Sequence, residues 1–438
     1  MAILLMNGRL INPADQLDGL FDILIEDGIV KERLPHTDEV LSLMEKKYDS
    51  LRTYDLTGRI IFPGFIDLHV HFRDPGQTEK ETIETGIKAA AHGGFTTVLT
   101  MPNTSPVCDN PSIVEYVHKK ARNCHSTEVL QIGSITKGME GKELNDIAAL
   151  KEAGVPAISE DGKSVMNSAL ARRAFKIAKE NDLPVFSHCE DIDLVEGGVM
   201  NQGKMSLKYD LPGISNSVEN IIIARNIFLA EETGATLHLC HNSTKESYLC
   251  VKLAKEHGIH VTGEVTPHHF VLCEDEIDPN NANYKMNPPV RTAEDREYLI
   301  RGLKENVFDV IATDHAPHTA SEKARGFKSA PFGIVGLETA AALTYTYLVK
   351  PGHLSLMQMA EKMSYNPARI IKKDYGDISV GKKADLTIFD ATKKYKIDSN
   401  EFYSKGHNEP FDGREVYGKV VATIKDGDFV FKVEGEKL

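Results

Sequence analysis

The chain has 438 residues, long enough for a barrel of about 250 residues plus a smaller unit. With 41% hydrophobic and 26% charged residues it has the composition of an ordinary folded protein, and its net charge of −13 excludes a surface built for nucleic acid or anionic lipid. An anionic substrate would therefore need a local cationic site.

The N-terminus, MAILLMNGRLINP, carries no cationic leader before a long apolar stretch, and no segment reaches the roughly 20 apolar residues of a membrane span. Six scattered cysteines (Cys108, Cys124, Cys189, Cys240, Cys250, Cys273) form no C-x-x-C pair, which suits a reducing compartment. A cytoplasmic protein is expected.

In chain order, the first 60 residues alternate apolar and polar positions in ILLMNGRLI, DILIEDGIV and YDLTGRIIF. The Asn-Gly and Asp-Gly pairs between such runs predict tight β-turns. A charged stretch at roughly 32–54 interrupts them as a helical or loose excursion. The middle has a different rhythm, with eight strand-like runs: FIDLHVH, TTVLTMPN, VLQIGSI, VPAISED, LPVFSHCE, ATLHLCH, HVTGEVT and FDVIATDH. Helix-like stretches such as EKETIETGIKAAAHGG and NSALARRAFKIAKEND separate them. Eight βα repeats predict a (β/α)8 barrel over 63–375. An open doubly wound sheet is the alternative, but no Gly-rich phosphate turn accompanies it. The C-terminal runs ADLTIFD, KKYKID and VVATIKDGDFVF return to the β character of the start. Residues 1–62 and 376–438 are accordingly expected to build one small β-sandwich domain.

Chemistry-capable residues fall at the strand ends. The first strand ends in His69 and His71, the second in Asn103, the fourth in Asp161, the fifth in His188, the sixth in His241 and the eighth in Asp314, followed by His318. In such a barrel every C-terminal strand end opens on one face, so these residues converge. His69 and His71, at i and i+2, project to one side and suit two ligands of one metal. Imidazoles and carboxylates in this number suit zinc, and two ions bridged by a carboxylate.

Other residues have plainer readings. His238 should point away from His241 and be structural. His268 and His269 follow strand seven and read as packed rather than ligating. Asp67, deeper in its strand, suits a buried hydrogen-bonding role. His92, His125, His257 and His260 fall in helices or connections. Cys189 and Cys240 adjoin ligand candidates but, by strand alternation, should face the barrel wall. Spacing alone does not separate Glu160 from Asp161 as the carboxylate ligand.

PGFIDLHVH, SHCE, TDHAPH and GDISVGKKADLTIFD resemble the metal-dependent amidohydrolase superfamily. Within it, HVHFRDPG, MPNT, SEDG, CHNSTKES, EVTPHHF and NPPVR are similar to class I dihydroorotase, over nearly the whole chain. The resemblance implies that His69, His71 and Asp314 hold one zinc ion, that His188 and His241 hold a second, and that Asp161 bridges them where many relatives use a carboxylated lysine. It further implies a substrate site of His71, Arg73, Asn103, Asn287, His318 and the Phe332–Gly333 backbone, with Asp314 as the catalytic proton carrier. The implied reaction is the reversible cyclisation of N-carbamoyl-L-aspartate to L-dihydroorotate in pyrimidine biosynthesis. A homodimer, and possible association with aspartate transcarbamoylase, are implied as well. The planar fork of Arg73 would supply the local cationic anchor; its plainer reading is a surface turn with an Arg–Asp contact. Allantoinase, dihydropyrimidinase and a non-catalytic homologue are the rival readings. The loop at 318–333 is read either as a lid or as a static exposed loop, and the 32–54 stretch as longer than the family pattern.

Overall fold

The computed structural model describes residues 2–37 and 39–435; residue 1, residues 436–438 and Asp38 of the charged excursion lie outside the described residues. The barrel strands are Phe65–Val70, Phe95–Thr100, Glu128–Gln131 continued by Gly133–Ser134, Ile158–Ser159, Val185–Ser187, Leu237–Leu239, Val261–Val265 and Val310–Ile311. Each overlaps one of the eight expected runs, the second and third strands beginning one residue earlier, at Phe95 and Glu128. Neighbours pair in parallel around the ring, and a parallel bridge from Val70 to His315 joins the first strand to the eighth. The His71 N–H donates to the His315 carbonyl at 2.8 Å across this closure.

The intervening helices start where the sequence offers caps. Thr82 forms a capping box with Thr85 for helix Ile83–His92, Asn167 accepts from Ala169 and Leu170 for Ser168–Glu180, and Thr292 boxes with Asp295 for Ala293–Lys304. Each such cap stabilises its helix by about 1 kcal/mol. Helix Asn216–Thr233 stops at Gly234, whose φ of +67° is the left-handed conformation that glycine adopts without a Cβ penalty. One apolar cluster joins Val98, Val129, Ile158, Val185 and Leu237 to helix residues Ile87, Val114, Leu170, Ile222 and Val251. Residues of the other parity, among them Leu99, Leu130, Phe186 and Val310, form a second cluster with Ala368 and Ile371. This division between a wall packed on helices and an interior set is what strand alternation produces.

Both chain ends contribute to one eight-stranded sheet, consistent with the expected β-sandwich unit. Its order runs Asp428–Lys432, Glu415–Lys425, Leu386–Lys396, Ile60–Pro63, Ala2–Asn12, Leu17–Glu26, Ile29–Pro35, with Leu51–Asp55 pairing on Ala2–Met6. The Asp27–Gly28 and Asp426–Gly427 pairs have positive φ at both positions, as a tight hairpin matching the strand twist requires.

Two local expectations change and a third is decided between its alternatives. Asn7–Gly8 is no turn: it is a bulge inside one continuous strand, with Asn7 at φ +55° and its N–H held by Asp22 Oδ1 at 2.7 Å. The charged excursion takes the helical of its two expected forms: helix Glu39–Lys47 packs Val40 and Met44 on Ala2, Leu4 and Leu24, and Leu51–Asp55 adds a strand. ADLTIFD and KKYKID form one bulged strand rather than two. Within the 376–438 span, residues 399–413 leave the sheet and lie against the barrel mouth, through bonds from Asn408 to Ala316, His318 and Gly333.

Candidate metal centre and active site

The strand-end residues do converge. His69, His71 and Asp314 offer ligand atoms within 4.8 Å of one another, and so do Asp161, His188 and His241; all six residues are buried. His71 Nε2 lies 3.0 Å from Asp314 Oδ1 and 3.4 Å from Asp161 Oδ2, while His69 Nε2 lies 3.2 Å from Asp161 Oδ1 and 3.4 Å from Asp314 Oδ1. Asp161 Oδ1 is 3.7 Å from His188 Nδ1 and 3.8 Å from His241 Nε2, so Asp161 stands between the two sets.

The far nitrogen of three rings is tied down, which sets the tautomer of each. His69 Nδ1 donates to Glu264 Oε1 at 2.7 Å, His71 Nδ1 to Asn103 Oδ1 at 2.9 Å, and His188 Nε2 to Glu190 Oε2 at 3.2 Å. Their remaining nitrogens therefore present lone pairs to Asp161 and Asp314. His188 Nδ1 also faces His241 Nε2 at 2.8 Å. Among the described residues, His69 Nε2 and Asp161 Oδ1 are buried without a hydrogen-bond partner, an arrangement costly for protein alone. Converging lone pairs, two carboxylates and orphaned buried acceptors fit a divalent cation with nitrogen and oxygen ligands.

The backbone is bent to reach this geometry. Arg73, His241 and Asp314 have φ of +60°, +31° and +51°, uncommon for residues with a Cβ and of the kind that clusters at functional sites. The bend at His241 also explains a correction. Cys240 faces inward, its Sγ grouping with the ligand atoms of His69 and Asp161, because alternation with the outward Leu237 and Leu239 places it there; His241 is the residue that departs from the alternation. Cys189 instead lies beside Ser187, its Sγ 3.4 Å from the Ser187 hydroxyl.

Glu160 turns away to the Thr136 backbone N–H at 3.0 Å and the Thr136 hydroxyl, leaving Asp161 as the carboxylate in the cluster. Asp67 accepts from the His69 and Thr313 N–H groups at 3.0 and 3.2 Å; burial, the dominant influence, pushes its carboxyl up to about 7. His238 gives Nε2 to Glu264 Oε2 at 3.0 Å. His269 bonds Thr266 and the Pro288 carbonyl, whereas His268 Nε2 is buried without a partner among the described residues.

Arg73 is half-buried and, among the described residues, pairs with no carboxylate; its Nε lies 3.4 Å from the Pro317 carbonyl and its Nη2 3.5 Å from His318 Nε2. The Arg–Asp turn is not formed, since Asp74 is taken by Tyr116 at 2.9 Å and Lys120 at 2.7 Å. Asn287 donates to Glu190 at 2.8 Å. His318 Nε2 donates to the Phe332 carbonyl at 2.8 Å, so in this structure it braces that wall rather than offering a free donor. Burial and then the charge of Arg73 lower its pKa to about 3, keeping the ring neutral. The 318–333 loop is anchored at its buried positions. Helix Ala320–Lys323 is boxed by Thr319 and Glu322, and the buried Lys323 Nζ donates to the Lys285 and Pro331 carbonyls at 3.2 and 3.0 Å.

Three contributors escaped the sequence reading: Glu264, Glu190 and Asn408. Glu264 is fully buried and takes His69, His238 and the His241 N–H at 3.0 Å. Burial would raise its pKa, but the His69 and His238 rings that it bonds outweigh burial and hold it well below the usual carboxylate range. The available signal was an acid inside an apolar strand, GEV. Glu190 could have been found two residues beyond His188.

Residues 58–247 match the family model described as Dihydro-orotase-like. The chain is 44% identical over 430 residues to the dihydroorotase of Acetivibrio thermocellus, covering 98% of this chain and 99% of that one. It is 45% identical over 435 residues to the dihydroorotase of Ligilactobacillus salivarius, covering 99% and 100%. Among solved structures, the L-hydantoinase (dihydropyrimidinase) of Arthrobacter aurescens superposes with a TM-score of 0.87 at 26% identity, covering 100% of this chain and 97% of that one. The dihydropyrimidinase of Brevibacillus agri gives 0.84 at 23%, covering 99% and 95%, a likeness of fold.

Proposed function

The chain belongs to the dihydroorotase family, and from that premise we propose how its own residues carry out the reaction. The enzyme is a cyclic amide hydrolase that interconverts N-carbamoyl-L-aspartate and L-dihydroorotate in pyrimidine biosynthesis. The assigned ligands are His69, His71 and Asp314 for one zinc ion and His188 and His241 for a second, with Asp161 between them. When bound, such ions supply Lewis acidity that polarises the ring amide carbonyl and acidifies water.

The remaining chemistry belongs to side chains. In the hydrolytic direction Asp314 accepts the proton of the attacking water and delivers it to the departing ring nitrogen; in the biosynthetic direction it runs the same transfers in reverse. Glu264, Asn103 and Glu190 hold three imidazoles in the tautomers that present lone pairs. Arg73 binds the substrate carboxylate through its fork, Asn103 adds a polar contact, and His71, Asn287, His318 and the Phe332–Gly333 backbone shape the pocket. The Arg73 guanidinium beside the ligand cluster, which pairs with no carboxylate among the described residues, is the observation that carries this reading. It gives an acidic protein its local anion site, and it separates a ring bearing a carboxylate from the rings of dihydropyrimidinase substrates.

The test is to assay carbamoyl aspartate, dihydroorotate, allantoin and dihydrouracil side by side, with metal content measured on the same preparation. Turnover of only the last two substrates, or a metal-free chain that still binds dihydroorotate, would defeat the reading. No helix in the described residues is long and apolar enough to cross a membrane, and the six cysteines are free, in keeping with a cytoplasmic enzyme. A homodimer is the proposed working unit and aspartate transcarbamoylase the candidate partner, both checked by light scattering on the chain alone and mixed with that enzyme.

A further inference from the structure

A buried amide from the far end of the chain is built into the pocket wall. Asn408 lies in the segment that crosses the barrel mouth between strands Leu386–Lys396 and Glu415–Lys425. Its side chain is 3% exposed and fully engaged. Oδ1 accepts the His318 N–H at 3.1 Å, and Nδ2 donates to the Ala316 and Gly333 carbonyls at 3.1 and 3.0 Å. One donor and two acceptors as partners permit only this orientation of the amide.

Two glycines make the approach possible. A Cβ at Gly406 would sit 2.6 Å from Pro317 Cβ, and one at Gly333, where φ is +129°, would sit 3.1 Å from His318 Nε2. The turn carrying His318 and the wall ending in Gly333 are thus pressed together, and Asn408 bonds to both.

We propose that Asn408 is a positioning residue. It sets the spacing between the 316–318 turn, which carries His318 beside Arg73, and the wall ending in Gly333, and so fixes the shape of the site that receives the substrate carboxylate. This rests on the assignment of that site made above. A mere staple between chain segments would affect stability alone, whereas a positioning residue affects substrate affinity.

The experiment compares zinc-loaded, full-length wild type with Asn408→Ala and Asn408→Asp. The Asp variant keeps the volume and the acceptor for His318 but loses both donors. KM and kcat for L-dihydroorotate, competitive inhibition by orotate, zinc content and Tm are measured. In both variants KM and the orotate inhibition constant rise about tenfold, the scale of one lost hydrogen bond to a charged or tightly held group, while kcat changes less than about twofold and zinc content is unchanged. Unchanged KM and orotate inhibition in a folded variant, or losses confined to kcat or to zinc, overturn the proposal; if one variant fails to fold, the other decides. A wild type without dihydroorotate turnover would sink the functional reading and this inference with it, whereas an active wild type with insensitive variants sinks only this one.

Discussion

Replacing Glu264 by Gln removes one charge and almost nothing else. Oε1 of Glu264 takes the His69 Nδ1–H at 2.7 Å and the His241 N–H at 3.0 Å, and Oε2 takes His238 Nε2 at 3.0 Å. A Gln oxygen in the Oε1 position keeps the first two bonds. Its amide nitrogen then faces His238, which adopts the other tautomer and donates from Nδ1 to Thr262 Oγ1, now 2.8 Å away. Packing survives, but three charge-assisted bonds become neutral ones, roughly half as strong. The metal-free chain should lose about 1–3 kcal/mol of stability. The His69 imidazole becomes a poorer ligand, and zinc affinity should fall roughly 10- to 100-fold, the usual cost of losing a partner behind a metal-bound histidine. Chelator competition on the variant and wild type measures the affinity, and denaturant unfolding of the stripped proteins measures the stability. Zinc affinity within twofold of wild type would refute the role given to Glu264.

Asp314→Asn should reduce turnover at least about 10³-fold while much of the zinc remains, read from kcat and metal content together; retained activity would remove Asp314 from proton transfer. Arg73→Lys keeps the charge but loses the fork, so kcat/KM for dihydroorotate should drop about 10- to 100-fold with zinc content unchanged. Glu409 is fully buried, and burial above all pushes its carboxyl up to about 8. The unfolded chain therefore binds fewer protons there than the folded one, and this residue's contribution to stability is lost as pH rises from the ordinary Glu range through about 8. Glu409→Gln should raise Tm by several degrees at pH 8 and by less at pH 5; an equal shift at both would contradict the assignment.

The barrel and its ligand cluster were legible because strand ends in this architecture share one face, so His69, His71, Asp161, His188, His241 and Asp314 could be gathered without knowing a single contact. What escaped depended on contacts distant in sequence or on broken periodicity. Cys240 was misplaced because alternation fails where His241 takes φ +31°. Asn7–Gly8 carries the composition of a hairpin turn, yet it lies as a bulge inside one strand, where a Cβ at Gly8 would collide with the Ile61 side chain. Glu264 sits in a strand where an acid can equally signal a solvent-facing position, and only its three donors distinguish it. Asn408 has no local signal: it acts on His318, 90 residues earlier in the chain.

That last separation also orders events in time. Every candidate metal ligand has been synthesised once residue 314 is added, whereas the amide that braces the substrate wall arrives only with residue 408. A chain growing from its N-terminus therefore carries every candidate ligand before it carries the amide that ties down the pocket. The donors for an ion are thus made before the brace for a substrate.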